Sequence, residues 1–160
     1  MPRSVPLDAL DVDLLNLLQR DAGRTLRELG DDVGLSPSAL HRRIERYEAA
    51  GLIARRVAVL DPRAAGDTLL AVVLVTLERE SAEDHAELRA RLRAGPEVQQ
   101  CYDVAGDYDY VVVVATTGMP DCRELVERLL LGGPRLKRLV TLPVFAAVKR
   151  GLELPVRRGS

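Results

Sequence analysis

The stretch Gly106-Asp107-Tyr108-Asp109 sets two carboxylates two residues apart. Paired acids can do acid–base work. The same residues also make a hairpin turn, because glycine permits the tight backbone and aspartate favours it. The turn is the stronger reading. Such a turn still has a binding chemistry. Free N–H groups can hold a carboxylate, and Asp109 offers an ammonium group a charge-assisted hydrogen bond. Together these suit an α-amino acid. Other reactive side chains are sparse: His41 and His85, Cys101 and Cys122. They form no Ser/His/Asp or Cys/His arrangement and no metal-ligand spacing, and the chain has no Gly-rich phosphate loop. The cysteines read as reduced and buried. His85 reads as a half-buried histidine beside Leu88 and Leu92, and His41 as a surface or DNA-flanking residue. The sequence predicts no enzyme and no cofactor.

A second concentration of chemistry lies between Leu35 and Ile53, where Arg42, Arg43 and Arg46 stand on a helical pattern. With Leu40 at the centre of the buried face, steps of ~100° put Ser38, Arg42 and Ala49 nearly opposite, with Ala39 and Arg46 to one side. Small residues let a backbone approach a surface closely. Arginine forks pair with guanine edges or phosphates. From Ser36 to Arg56 five arginines face Glu45 and Glu48, a net of +3, whereas Asp8 to Asp32 nets −4. The chain as a whole carries −1. A near-neutral protein that binds double-stranded DNA needs such a local footprint. Arg42 is expected toward base edges, with Arg46, Arg55 and Arg56 toward phosphates.

These arginines must be positioned by the elements around them. Leu7, Leu10, Leu14, Leu17 and Leu18 follow a helical period, with acids at the start, where the helix dipole favours them. Thr25 and Glu28 form a capping box for a second helix that stops at Gly34. Ser36 and Pro37 open the third helix as N-cap and first residue, and Gly51 closes it. Short helices separated by a tight turn, with another packed behind, make a helix-turn-helix. A linker follows. Val57 and Val59 alternate as in a short strand, and Asp61-Pro62 and Gly66 punctuate it.

Beyond the linker the pattern changes. Leu69 to Leu77 reads as a strand apolar on both faces. Ser81 and Asp84 cap a helix that Gly95-Pro96 breaks. Strands follow at Val98 to Val104 and Tyr108 to Ala115, then a helix from Pro120, then a last strand from Leu139 to Val148. The order β-α-β-β-α-β is that of a ferredoxin-like sandwich. The expected fold is therefore α+β: a winged helix-turn-helix over residues 1–54, a linker with a short strand over 55–67, and a βαββαβ ligand-binding and oligomerisation domain over 68–160. Two helices cover only one face of a four-stranded sheet, so a homodimer is the simplest cover for the apolar residues on the other.

The chain's 160 residues, 47% of them hydrophobic, suffice for two small cores. The longest apolar run is too short to span a membrane, and the N-terminus has no signal-peptide pattern. A soluble, cytoplasmic protein is expected.

The stretch from Leu7 to Ile53 resembles the DNA-binding half of the Lrp/AsnC (feast/famine) transcription regulators. "VAGDYDYVVVV" and "LVTLPVFAAVK" resemble two signature stretches of their effector domain. The resemblance covers about Leu7 to Lys149. It implies dimers that form through the sheets and assemble further into tetramers or octamers. It implies amino acids or related small molecules bound between those domains. By position, Ser36, Ser38, Arg42, Arg43 and Arg46 fall on the family's recognition helix. Gly106, Asp107, Tyr108 and Asp109 fall on its effector loop, and Thr141 on a recurrent threonine of the last strand. Tyr47 departs from the family's usual leucine. Pro143 departs too, and demands that its strand be an edge or bulged there. The resemblance keeps one enzymatic alternative open, a tetrapyrrole (sirohaem) decarboxylase on the same fold. A third reading is an oligomer that ignores DNA.

Overall fold

The computed structural model describes residues 6–61, 64–79 and 81–157. Pro62 of the linker lies outside them. The chain forms two compact units. One takes the described residues up to Val59 together with those from Lys149 onward; the other runs from Leu60 to Val148.

The first unit holds α1 (Ala9–Arg20), α2 (Leu26–Val33) and α3 (Pro37–Ala49). Each starts where its sequence supplies an acceptor for orphan N–H groups. Asp8 and Asp11 cap α1 reciprocally, Thr25 and Glu28 do so for α2, and the Ser36 hydroxyl accepts from the Ala39 amide of α3. Gly34 ends α2 in the left-handed conformation, with φ of 70°. Gly30 is needed for a different reason: a Cβ there would lie 2.5 Å from the Leu35 carbonyl oxygen, so only glycine lets the turn into α3 pass this close. Leu14, Leu15, Leu18, Leu29, Leu40, Ile44 and Tyr47 form the core.

Two sequence expectations change here. The wing is missing: residues 54–60 form no strand, and Val57 and Val59 are exposed. Alternation alone does not make a strand. It needs a ladder partner, and none is beside it among the described residues. The C-terminal segment, expected in the second domain, packs instead on α1. The Gln19 amide donates to the Leu154 carbonyl at 3.1 Å and accepts from the Leu154 N–H at 2.7 Å, and Val156 joins the helical core.

The second unit runs β1 (Leu69–Leu77), α4 (Ala82–Ala94), β2 (Val98–Asp103), β3 (Tyr110–Thr116), α5 (Met119–Val126) and β4 (Leu136–Pro143). α5 continues into one wide turn to Leu131, where the Gly132 N–H reaches the Glu127 carbonyl. The sheet order is β2-β3-β1-β4, with every neighbouring pair antiparallel. Alternate residues of β1 and β3 pack with Leu88, Leu92, Cys122, Leu125, Leu129 and Leu130 of the helical layer. The intervening residues make rows on the other face. Gln100, Val113, Val72 and Leu142 stand side by side, as do Tyr102, Val111, Leu74 and Val140. This face is only partly buried.

β4 begins and ends earlier than its sequence suggests. It is an edge strand, as Pro143 requires, and its ladder closes with the Val144 N–H on the Leu70 carbonyl at 2.8 Å. Phe145 and Val148, expected within the strand, lie beyond it and are fully exposed. Cys122 is buried as expected, but Cys101 is exposed on edge strand β2.

Candidate nucleic-acid interface and effector loop

The three arginines of α3 have different surroundings. Arg42 is exposed and has no hydrogen-bond or ion-pair partner among the described residues. It lies one turn from Ser38, whose hydroxyl is 3.2 Å from that of Ser36. His41 pairs with Glu45 at 3.2 Å on the surface. Such exposed pairs contribute little to stability and break readily.

Arg43 and Arg46 turn toward α1. Arg43 Nη1 donates to both carboxylate oxygens of Asp8, at 3.1 and 2.9 Å, and to Asp11 Oδ1. Arg46 Nη2 donates to the same Asp11 oxygen at 2.7 Å, and its guanidinium lies 5.4 Å from the centre of the Tyr47 ring. The Tyr47 hydroxyl also donates to Asp11 Oδ1. Asp11 Oδ2 accepts the Asp8 amide at 3.0 Å. Asp11 is thus a carboxylate almost wholly out of water with every donor it needs.

Burial alone would push the Asp11 carboxyl up. Hydrogen bonds from Tyr47, the Asp8 backbone, Arg43 and Arg46 outweigh it and bring the pKa from 3.8 down to about 2. The Tyr47 hydroxyl moves up, through burial first and then through Asp11. The Arg43 guanidinium also moves up, chiefly through its hydrogen bonds to Asp8.

Sequence reasoning took Asp8 and Asp11 only as acids suited to a helix start. The available signal was Tyr47. A tyrosine at a buried helix position needs an acceptor for its hydroxyl, and a leucine does not. Arg56 is likewise engaged, with Glu48 at 2.7 Å. Arg55 has no partner among the described residues.

The second candidate site is the turn from β2 to β3. Gly106 sits at φ of 153°, where a side chain would be strained. The turn is tied down on both sides. Val104 N–H donates to the Asp109 carbonyl, and Asp109 N–H to the Val75 carbonyl, each at 2.9 Å. Thr76 Oγ1 donates to the Asp107 carbonyl at 3.3 Å, and the Arg138 guanidinium stacks over Tyr108 at 4.9 Å. Asp109 Oδ2 accepts the Leu77 amide at 2.7 Å. That amide lies at the irregularity between Thr76 and Leu77, where β1 shifts register against β4. Asp109 therefore has a structural duty. Thr141 of β4 pairs with Val73 of β1, and Arg138 of β4 with Thr76 of β1. Thr141 is thus three residues, about 10 Å, along the strand from the turn. Within one chain the five expected effector residues do not converge.

His85 packs against Tyr110, with Nδ1 2.7 Å from the tyrosine hydroxyl. It is a satisfied, part-buried histidine. Among the described residues no cluster of three or more His, Cys, Asp or Glu could hold a metal ion, and no helix is long and apolar enough to cross a membrane.

The chain's two halves match two family models in order. Residues 7–48 match the AsnC-type helix-turn-helix domain, and residues 70–154 the Lrp/AsnC ligand binding domain. Among curated relatives, the leucine-responsive regulatory protein of Haemophilus influenzae is 34% identical over 148 residues, covering 92% of this chain and 89% of that one. The HTH-type transcriptional regulator FL11 of Pyrococcus horikoshii is 32% identical over 154 residues, covering 96% and 99%. Among solved structures, a transcriptional regulator from Neisseria meningitidis in complex with L-Met superposes with a TM-score of 0.85 at 30% identity, over 93% of this chain and 96% of that one. None of these names lends support to the decarboxylase alternative. The two matches together span most of the chain, and the chain belongs to the Lrp/AsnC family of DNA-binding transcriptional regulators.

Proposed function

We propose that α3 enters the major groove of double-stranded DNA with Ser38 and Arg42 toward base edges, and that Arg46 and Arg55 meet phosphates. The observation that carries this reading is Arg42. It is the one arginine of α3 without an intramolecular partner among the described residues, and it lies on the face that starts with Ser36 and Ser38. His41, bound only by an exposed pair, flanks the same face.

The working protein is a homodimer or a larger even assembly. Support comes from the sheet face bearing Val72, Leu74, Val111 and Val113, which the chain's own helices leave uncovered. A small effector of the amino-acid class binds at the turn of Gly106, Asp107 and Tyr108 and alters assembly or DNA affinity. The relative bound to L-Met and the match to a ligand binding domain support this class. Thr141, distant from the turn within one chain, joins such a site only from a neighbouring subunit. A ligand shared between subunits favours the assembly that completes its pocket, and so shifts DNA binding by its differential affinity.

The test is a DNA titration on the sequence that the protein itself selects from a random pool. Arg42→Ala should bind that sequence more weakly and discriminate less. Unchanged binding would remove α3 from the groove. Calorimetry against the amino acids tests the effector, and heat with none of them would leave the turn a purely structural element.

A further inference from the structure

We propose that Asp11 withholds Arg43, and one edge of Arg46, from DNA, so that the recognition helix reads sequence with less non-specific charge than its arginines would otherwise supply. This rests on the reading that α3 faces DNA.

Three donors converge on one oxygen of a carboxylate whose side chain is 2% exposed: Arg43, Arg46 and Tyr47. Asp8 adds both of its oxygens to Arg43. Arg43 is left 23% exposed and Arg46 47% exposed. The two arginines therefore do not offer DNA what their positions on α3 suggest. Arg43 is turned to α1 and locally neutralised. Arg46 keeps an outward edge, held steady by Asp11 on one side and the Tyr47 ring on the other.

The consequence follows from how DNA binds cations. Affinity for any sequence scales with the number of phosphates neutralised, and carries no sequence information. A free arginine beside Arg42 would raise binding to every site alike. Competing sites vastly outnumber operators, so the ratio of specific to non-specific binding is what matters. A buried carboxylate that takes up arginine charge lowers the non-specific share and leaves Arg42, the base reader, untouched. Asp11 is a positioning residue in this scheme, since it touches no DNA itself.

The experiment compares Asp11→Asn with the wild type on two probes: a random-sequence duplex and the best duplex selected by the wild type. Both are titrated across a range of salt, with helix content checked first. Asparagine keeps the shape and removes the charge. Random-duplex affinity at low salt should rise on the order of tenfold, and the salt slope should steepen by about 1 for each added phosphate contact. The discrimination between probes should fall. A residue that only holds the fold would give the opposite result: weaker binding to both probes, with the slope unchanged or flatter.

Tyr47→Phe separates stability from charge. It removes one donor and leaves both arginines on Asp11, so melting should fall while the slope stays. A steeper slope in Tyr47→Phe would overturn the proposal. Should Asp11→Asn fail to fold, Asp8→Asn decides, because Asp8 is exposed and loosens Arg43 alone. An unchanged slope there overturns the proposal too. Arg42→Ala, run alongside, tells the two readings apart: if it has no effect, α3 is not the reading helix, whatever Asp11 does.

Discussion

Asp109 spends its carboxylate on the Leu77 amide, 2.7 Å away, at the point where β1 breaks register with β4. A residue whose position suggests ligand binding thus closes an irregular ladder. Removing it leaves a part-buried N–H without its acceptor, which costs about 1–3 kcal/mol. Asp109→Ala should therefore lower the melting temperature of the chain, as calorimetric scanning will show. Its use as an effector-site probe is compromised by that loss. Asp107, exposed at the turn's tip and, among the described residues, bonded only through its carbonyl, is the cleaner substitution. Asp107→Ala should keep the stability within about 0.5 kcal/mol of the wild type.

Arg42→Ala should weaken binding to the selected duplex by about 1–3 kcal/mol and relax preference at one base position. Arg42 has no internal partner among the described residues, so the variant's melting temperature should not move. Arg46→Ala should instead weaken all sequences alike and also destabilise the first unit, since Asp11 then loses one of its donors. Gel titration with thermal melting of both variants checks the pair.

Much of this architecture was legible in local signals. Ser36-Pro37, the Thr25–Glu28 box and Gly34 each act within a few residues, and each lies where its chemistry predicts. The order of strands and helices followed from alternation and breakers. The illegible parts depend on distance along the chain. Asp11 meets Arg43, Arg46 and Tyr47 across 32 to 36 residues, and Gln19 meets Leu154 across 135. No periodicity encodes such pairs. Val57 and Val59 failed in the converse way: their alternation is real, but a strand is a property of two segments, and no second one lies beside it among the described residues.

Asp11 also predicts an acid response. Its folded pKa, about 2, lies below the 3.8 of an unperturbed carboxyl. A depressed carboxylate contributes stability that is fully present above the unfolded value and lost as pH falls through the folded one. The window thus runs from about pH 4 down to pH 2, and the loss is about 2 kcal/mol. Hydrogen exchange of the α3 amides at stepped pH should show protection falling in that window. In Asp11→Asn the step should vanish, because the titrating group is gone. A wild-type protein with flat protection from pH 5 to about pH 2 would show that the contacts on Asp11 are not coupled to folding.

The uncovered sheet face gives the last prediction. Val113 stands between Gln100 and Val72 in one row, and Val111 between Tyr102 and Leu74 in the next. Each apolar side chain covered by a partner is worth roughly 1.5–3 kcal/mol. Several of them across four strands make a continuous patch that a soluble monomer rarely leaves open. The full chain should therefore sediment without a detectable monomer at micromolar concentration. Val113→Asp puts a charge at the middle of the patch, where burial against a second sheet would cost several kcal/mol, while on the monomer it faces water. That variant should sediment as a folded monomer with the wild-type helix and strand signal. It should also bind the selected duplex far more weakly, because two recognition helices no longer act together. A wild-type monomer, or a Val113→Asp variant that assembles as the wild type does, would place the subunit contact elsewhere on the chain.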